Sequence, residues 1–243
     1  MIDLHCHILP ELDDGAGSIE ESLAMAAMAA NQGIRHIAAT PHCLVGSARE
    51  VLTSVSMLQE LLMEERIPVK LYPGMEIFGT YDTARLLREK KLLTLNGSRY
   101  ALIEFSFYTD GEVETEILRS VLRTGYTPLV AHPERYEYIC SQPELANLWK
   151  QMGCLFQINR GSLLGRYGTN ARRMGQELVR RGFATVVATD AHSPVVRTPQ
   201  ARDVYQWLCQ NISPTAADIL MKHNPKRILN DEFLPPVEPD WFM

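Results

Sequence analysis

The chain has 243 residues, 46% hydrophobic and 22% charged, with a formal net charge of −5. That length fits a single domain of barrel size, residues 1–243, able to bury a large core without covalent staples. The acidic balance excludes nothing about fold but points away from nucleic acid and anionic membranes, and no apolar run reaches the ~18 residues of a membrane span.

Five cysteines, an odd number with no C-x-x-C pair, argue against a disulfide framework and for a reducing, cytoplasmic setting. The start, Met1 to His5, shows no basic region followed by an apolar stretch, so no signal peptide is read there.

Ile2–Cys6 reads as the first strand. Ser18-Ile19-Glu20-Glu21 is a capping box, the Ser18 hydroxyl accepting from the Glu21 amide while the Glu21 side chain reaches back. A helix follows, with apolar residues at Ile19, Leu23, Ala26, Ala27 and Ala30 and a stop at Gly33. The alternation continues through a strand at His36–Thr40, a helix from about Arg49 to Glu65, and a strand at Val69–Ile77. Helix Asp82–Lys90, strand Tyr100–Phe105, helix Glu112–Thr124 and strand Thr127–Ala131 come next. Helix Pro143–Met152, strand Cys154–Ile158, helix Asn170–Arg181 and strand Ala184–Thr189 complete the series. Thr198-Pro199 and Ser213-Pro214 each read as a helix start, a cap residue followed by proline. From about residue 231 the proline-rich tail is irregular.

Seven strands alternating with helices imply a parallel sheet with right-handed crossovers, either open and doubly wound or closed into a TIM-like (β/α)7 barrel. The polar residues favour the barrel. Six of the seven strands deliver a metal-type ligand at the C-terminal end: His5 and His7 with Asp13-Asp14 after them, His42, Glu76, Glu104, His132, and Asp190 with His192. Only the strand ending in Gln157 and Asn159 lacks an ionisable group. Those ends meet on one rim in a barrel and spread apart in an open sheet.

Residues two apart share a strand face, so His5 and His7 point inward while Cys6 points to the helices, and Asp190 and His192 repeat the device. Each residue alone has an ordinary reading, a hydrogen-bonded histidine or a capping aspartate. Their recurrence on one rim makes a shared site the better account. His36 and His223 fall elsewhere and are read as ordinary. Imidazole and carboxylate without thiolate suit manganese, iron or zinc, and nine ligands exceed the needs of one ion.

H-x-H near the start, Asp13-Asp14-Gly15, Thr40-Pro41-His42, the two lone glutamates, His132-Pro133-Glu134-Arg135 and Asp190-Ala191-His192 together resemble the PHP (polymerase and histidinol phosphatase) superfamily. The nearest resemblance is to its bacterial protein tyrosine phosphatases of capsule and exopolysaccharide synthesis. It runs from Met1 to about Asn230 and includes 95–105. It implies a distorted seven-stranded barrel of PHP type with three divalent ions, manganese foremost. His5, His7, Glu76 and Asp190 would hold the first ion. Glu76 as a bridge, with Glu104 and His132, would hold the second, and Asp14, His42 and His192 the third. Arg135 and Arg197 match the family's substrate-binding arginines. His42, Asp14 or a metal-bound water would serve as general acid. The implied substrate is a phosphotyrosine protein, such as a bacterial tyrosine kinase.

Two departures bear on substrate preference: 43–49 lacks the basic residues expected there, and Arg160 stands where a small polar residue is expected. Three alternatives remain. One is a small-molecule phosphatase of the histidinol-phosphate type. Another is a non-catalytic metal-bound regulator. The third is a cysteine-dependent tyrosine phosphatase, because His42-Cys43 through Arg49 fits H-C-x5-R between a strand and a helix. That last reading leaves the other eight rim residues without a role, and Leu44 and Val45 suit a tight phosphate loop poorly.

Overall fold

A computed structural model describes residues 1–42 and 47–235. The strands form two parallel sheets. The first has the order β1 (Ile2–Cys6), β2 (His36–Ala39), β3 (Lys70–Pro73). The second runs β4 (Glu76–Phe78), β5 (Tyr100–Glu104), β6 (Thr127–Ala131), β7 (Leu155–Asn159), β8 (Ala184–Ala188).

The expected single barrel of seven strands is therefore corrected to eight strands in two sheets, with no closed barrel among the described residues. The difference arises in Val69–Ile77. Pro73 brings no N–H to the ladder, and Gly74 sits so close to its neighbours that an added Cβ would lie 3.1 Å from Leu95 Cδ2 and Thr40 Cγ2. Lys70–Pro73 stays with β2, and the chain resumes at Glu76 against β5. At the two places where the sheets approach, single bridges replace ladders, His42 opposite Glu76 and Cys6 opposite Ala191.

The helices are α1 (Ile19–Asn31), α2 (Ala48–Glu64), α3 (Thr83–Arg88), α4 (Glu112–Leu122), α5 (Glu137–Ser141) and α6 (Glu144–Met152). Then come α7 (Arg160–Leu163), α8 (Gly168–Arg180), α9 (Arg202–Asn211), α10 (Pro214–Asp218) and α11 (Asn224–Leu229). Ser18 caps α1 as expected, accepting from the Glu21 amide at 3.3 Å. The Glu21 carboxylate, however, returns to the Gly17 amide (2.9 Å). Ser213 accepts from the Ala216 amide at the start of α10. Thr198-Pro199 does not start a helix: α9 begins only at Arg202, and Gln200 before it is engaged by the Arg160 guanidinium.

The larger apolar cluster lies between the sheets and the helices and includes Cys6, Ile37, Ile103, Val130, Phe156 and Val187. A smaller inner cluster holds Ile2, Leu4, Leu102, Leu129, Ala131 and Val186, with Leu95, Ile228 and Leu229 packed beside them. β1 pairs with β2 through a register shift between Asp3 and Cys6. Leu4 is in the inner cluster and Cys6 in the outer, so the shift resets the alternation and aims His5 and His7 together, a common use of an irregular strand beside a site. After α11 the residues to 235 carry no regular structure, yet Asp231 is held by Arg99 and the Glu232 carbonyl accepts from Tyr100 Oη (2.7 Å). Among the described residues, no helix is long and apolar enough to cross a membrane.

Candidate metal centre

The C-terminal ends of the strands converge, and all nine predicted ligands meet there. Glu76 is the hub. Its Oε2 lies 3.1 Å from His5 Nε2, 3.2 Å from His7 Nε2 and 3.3 Å from His42 Nδ1, and its Oε1 lies 2.9 Å from His132 Nε2. His42 Nδ1 is also 2.8 Å from Glu104 Oε1. Asp14 Oδ1 lies 3.3 Å from His192 Nε2 and 3.6 Å from His42 Nε2.

Three groups present ligand atoms within 4.8 Å of one another: His5, His7, Glu76, Asp190; His7, Asp14, His42, His192; and His42, Glu76, Glu104. The first is the set expected for one ion. The second adds His7 to the set expected for another. In the third, His42 joins the two glutamates, and the expected His132 reaches Glu76 from its other oxygen.

Two of these residues sit in strained backbone. β8 ends at Ala188, and Asp190 follows at φ 51°, so it is not an alternating strand residue as expected. His132 follows β6 at φ 34°. Left-handed conformations of this kind cost about 1–3 kcal/mol at a non-glycine residue and concentrate at functional sites.

A second layer orients the first. His7 Nδ1 is 2.6 Å from Asp13 Oδ2, which leaves Nε2 for the cluster. Asp13 also accepts from the amides of Gly15 (2.9 Å) and His42 (2.8 Å). Only glycine fits at position 15, where a Cβ would stand 2.3 Å from the His7 carbonyl oxygen. His5 Nδ1 is 2.8 Å from Gln157 Oε1. The Gln157 amide donates to Asn159 Oδ1 (2.7 Å), and Asn159 donates to Asp190 Oδ2 (2.6 Å). Carboxylate or amide partners behind ligating imidazoles are the usual second layer of a metal site.

Sequence reasoning missed this layer. Gln157 and Asn159 end the one strand that offers no ionisable group, and their i, i+2 spacing was the available signal. Asp13 stands beside Asp14, and nothing in the sequence says which of the two turns to His7 and which to His192.

The electrostatics suit cations. Burial opposes a charge on His5, but the Glu76 and Asp190 carboxylates overcome it and lift its pKa to about 10. His42, likewise opposed by burial, is lifted to about 9 by Glu104 and Glu76. Glu76 is held well below the ordinary carboxylate range by His5, against the effect of its burial. Burial and the adjoining His7 push His192 down to about 4, so this imidazole stays neutral with a lone pair to offer. Asp190 Oδ1 and His192 Nε2 are buried without a hydrogen-bond partner, which buried polar atoms seldom are unless something else binds them. The donor set thus fits divalent ions held by imidazole and carboxylate.

Arg135 and Arg197 both reach Asp190, Arg135 Nη1 at 3.4 Å from Oδ2 and Arg197 through Nη2 to the same oxygen. The Arg135 guanidinium lies against two rings, 4.7 Å from the Phe107 centroid and 4.5 Å from that of Tyr167. Glu134, between the ligand and the arginine, is wholly buried and accepts from the Asn159 amide at 2.9 Å, away from the cluster. Arg160 is buried in a fork with Asp203 and Gln200, which makes it an anchor for α9. Cys43, the nucleophile of the competing reading, lies outside the described residues, as do 44–46 of its loop.

The profile of the family described as capsular polysaccharide synthesis, CpsB/CapC, matches residues 1–230. Tyrosine-protein phosphatase YwqE of Bacillus subtilis strain 168 is 38% identical over 201 residues, 81% of this chain and 79% of that protein. Tyrosine-protein phosphatase CpsB of Streptococcus pneumoniae is 31% identical over 243 residues, 96% of this chain and 100% of that protein. The chain superposes with a TM-score of 0.92 and 33% identity, over 98% of each chain, on a structure from the crystallography of YwqE and CpsB, described as unique metal-dependent tyrosine phosphatases.

Proposed function

The chain belongs to the CpsB/CapC family of capsular polysaccharide synthesis, and from that premise we propose that it is a metal-dependent protein-tyrosine phosphatase. The observation that carries the reading is the convergence of nine imidazole and carboxylate side chains at one end of the sheets, with two arginines at its edge. The phosphotyrosine protein it acts on is a bacterial tyrosine kinase of a capsule or exopolysaccharide system.

In this reading His5, His7, Glu76 and Asp190 hold one ion, Glu76 with Glu104 and His132 a second, and Asp14, His42 and His192 a third. His7 and His42 lie close enough to be shared. Manganese is the proposed metal. Bound divalent ions supply Lewis-acid polarisation of the phosphoryl oxygens and activation of water. Four carboxylates against three such ions leave a positive surplus, which suits a phosphate dianion.

Arg135 and Arg197 bind the phosphoryl oxygens and stabilise charge as it develops. Each is already turned to Asp190, so the guanidinium planes are set before substrate arrives. His42 and Asp14, with side chains 38% and 63% exposed, are the cluster's open face. A proton for the leaving phenolate is delivered at that face, and the phenolate's low basicity makes it less demanding.

The test is phosphate release from p-nitrophenyl phosphate and from a phosphotyrosyl protein, before chelation, after it, and after adding manganese. The expected result is loss with chelator and recovery with manganese on both substrates. Full turnover after verified metal removal would refute the metal reading. Preference for histidinol phosphate over both substrates would move the assignment to the small-molecule alternative.

A further inference from the structure

Beside the candidate metal cluster lies a groove of about 910 Å3. Its lining includes Phe107, Tyr108, Ser141, Tyr167 and Arg173. Arg135 belongs to both features: it lines the groove and reaches Asp190 at the cluster. We propose that this groove takes the polypeptide on one side of the phosphotyrosine, with Tyr108 as a specificity-determining residue. The inference rests on the phosphatase reading above and adds where the rest of the substrate lies.

Three features commit the groove to a polypeptide. The first is the setting of Arg135. Phe107 and Tyr167 both lie against its guanidinium, which leaves the N–H fork along its edge to meet phosphoryl oxygens. A phosphoryl group held by that edge has the two rings beside it, so whatever is attached to it leaves along the walls those rings begin. The second is size. A volume of 910 Å3 stands near the upper end of the roughly 300–1,000 Å3 of pockets that enclose a drug-sized ligand, far more than a single aryl phosphate fills. The third is the surface. Tyr108 is 74% exposed, one step from the ring that braces Arg135, and exposed tyrosines at the edge of a site are favoured protein contacts. The lining also includes the start of α8, whose N-cap Tyr167 provides no side-chain acceptor for the first-turn amides.

The experiment compares kcat/KM on a phosphotyrosyl peptide with kcat/KM on p-nitrophenyl phosphate, in manganese-loaded protein. It uses wild type, Tyr108→Ser and Ser141→Trp, both replaced positions being exposed. Tyr108→Ser removes the proposed contact, and Ser141→Trp fills part of the groove. The expected result is a fall of at least about tenfold in the peptide-to-aryl-phosphate ratio for each variant, carried by KM. In wild type, trimming the peptide on one side of the phosphotyrosine lowers the ratio and trimming the other side does not. A ratio unmoved in both variants overturns the groove, and so does an equal loss on both substrates, which marks a structural effect. Wild type that hydrolyses the aryl phosphate but no phosphotyrosyl peptide refutes the protein-tyrosine reading and the groove with it.

Discussion

Replacing Asp13 by alanine tests the second layer of the cluster directly. Its carboxylate fixes His7 through Nδ1 at 2.6 Å and holds the amides of Gly15 and His42. Without it, the His7 proton is free to move to Nε2, and a protonated Nε2 cannot bind a metal. Loss of such a partner typically costs 10- to 100-fold in metal affinity, about 1.4–2.7 kcal/mol. Two amides also lose their acceptor, at about 1 kcal/mol each, and one of them positions His42. His7 belongs to two of the three ligand groups, so the effect falls at the upper end, about 100-fold in the manganese concentration for half-maximal activity. Activity against metal concentration, beside metal analysis after dialysis, measures it. Asp13→Asn keeps an acceptor for the amides and is expected to lose less. An alanine variant with wild-type metal content and half-saturation would refute the argument, leaving Asp13 as a loop brace only.

Arg135→Ala is expected to keep its metals and lose about 2–4 kcal/mol of transition-state stabilisation, about 30- to 1,000-fold in kcat/KM, because the guanidinium reaches the cluster without being a ligand. Steady-state kinetics beside metal analysis decide it, and unchanged kcat/KM removes the clamp. Arg160→Ala is expected to act on stability alone. Its fork with Asp203 is buried on the arginine side and 42% exposed on the other, so a buried pair's cost is discounted to about 1–3 kcal/mol. For a chain of this size that is about 2–12 °C in Tm, with the rate per folded, metal-loaded molecule unchanged. A wild-type Tm, or a lost rate at full folding, would return Arg160 to the substrate question.

Local signals were legible where one residue controls its own neighbourhood. Ser18 and Ser213 cap helices because a hydroxyl and the amide three residues on are all the motif needs. The clustering of the nine candidate side chains was legible because nearly all stand at or just after a strand end, and the period of two told His5 and His7 from Cys6. What depends on partners far along the chain was not. Thr198-Pro199 has the same local form as Ser213-Pro214, yet Gln200 is drawn to Arg160, forty residues earlier, and the helix starts late. Gln157 reaches His5 across 152 residues of sequence, and nothing at either end announces the pair.

The largest miss, one barrel against two sheets, bears on the site itself. Alternating strands and helices show that a parallel sheet forms, but a break in its ladder leaves no periodic signature. Both breaks fall at the cluster. At one, His42 opposes Glu76, and the Glu76 amide donates to the Pro41 carbonyl. At the other, the His7 amide donates to the Ala191 carbonyl and the Asp190 amide to that of His5. Six of the nine proposed ligands, His5, His7, His42, Glu76, Asp190 and His192, stand on or beside these two seams. In an unbroken ladder, side chains on adjacent strands stand side by side at the strand spacing of about 4.8 Å. Single bridges release the ends from that rule, so Glu76 can meet three imidazoles at 3.1–3.3 Å on one oxygen and a fourth on the other. The two seams between the sheets are thus where most of this candidate set stands.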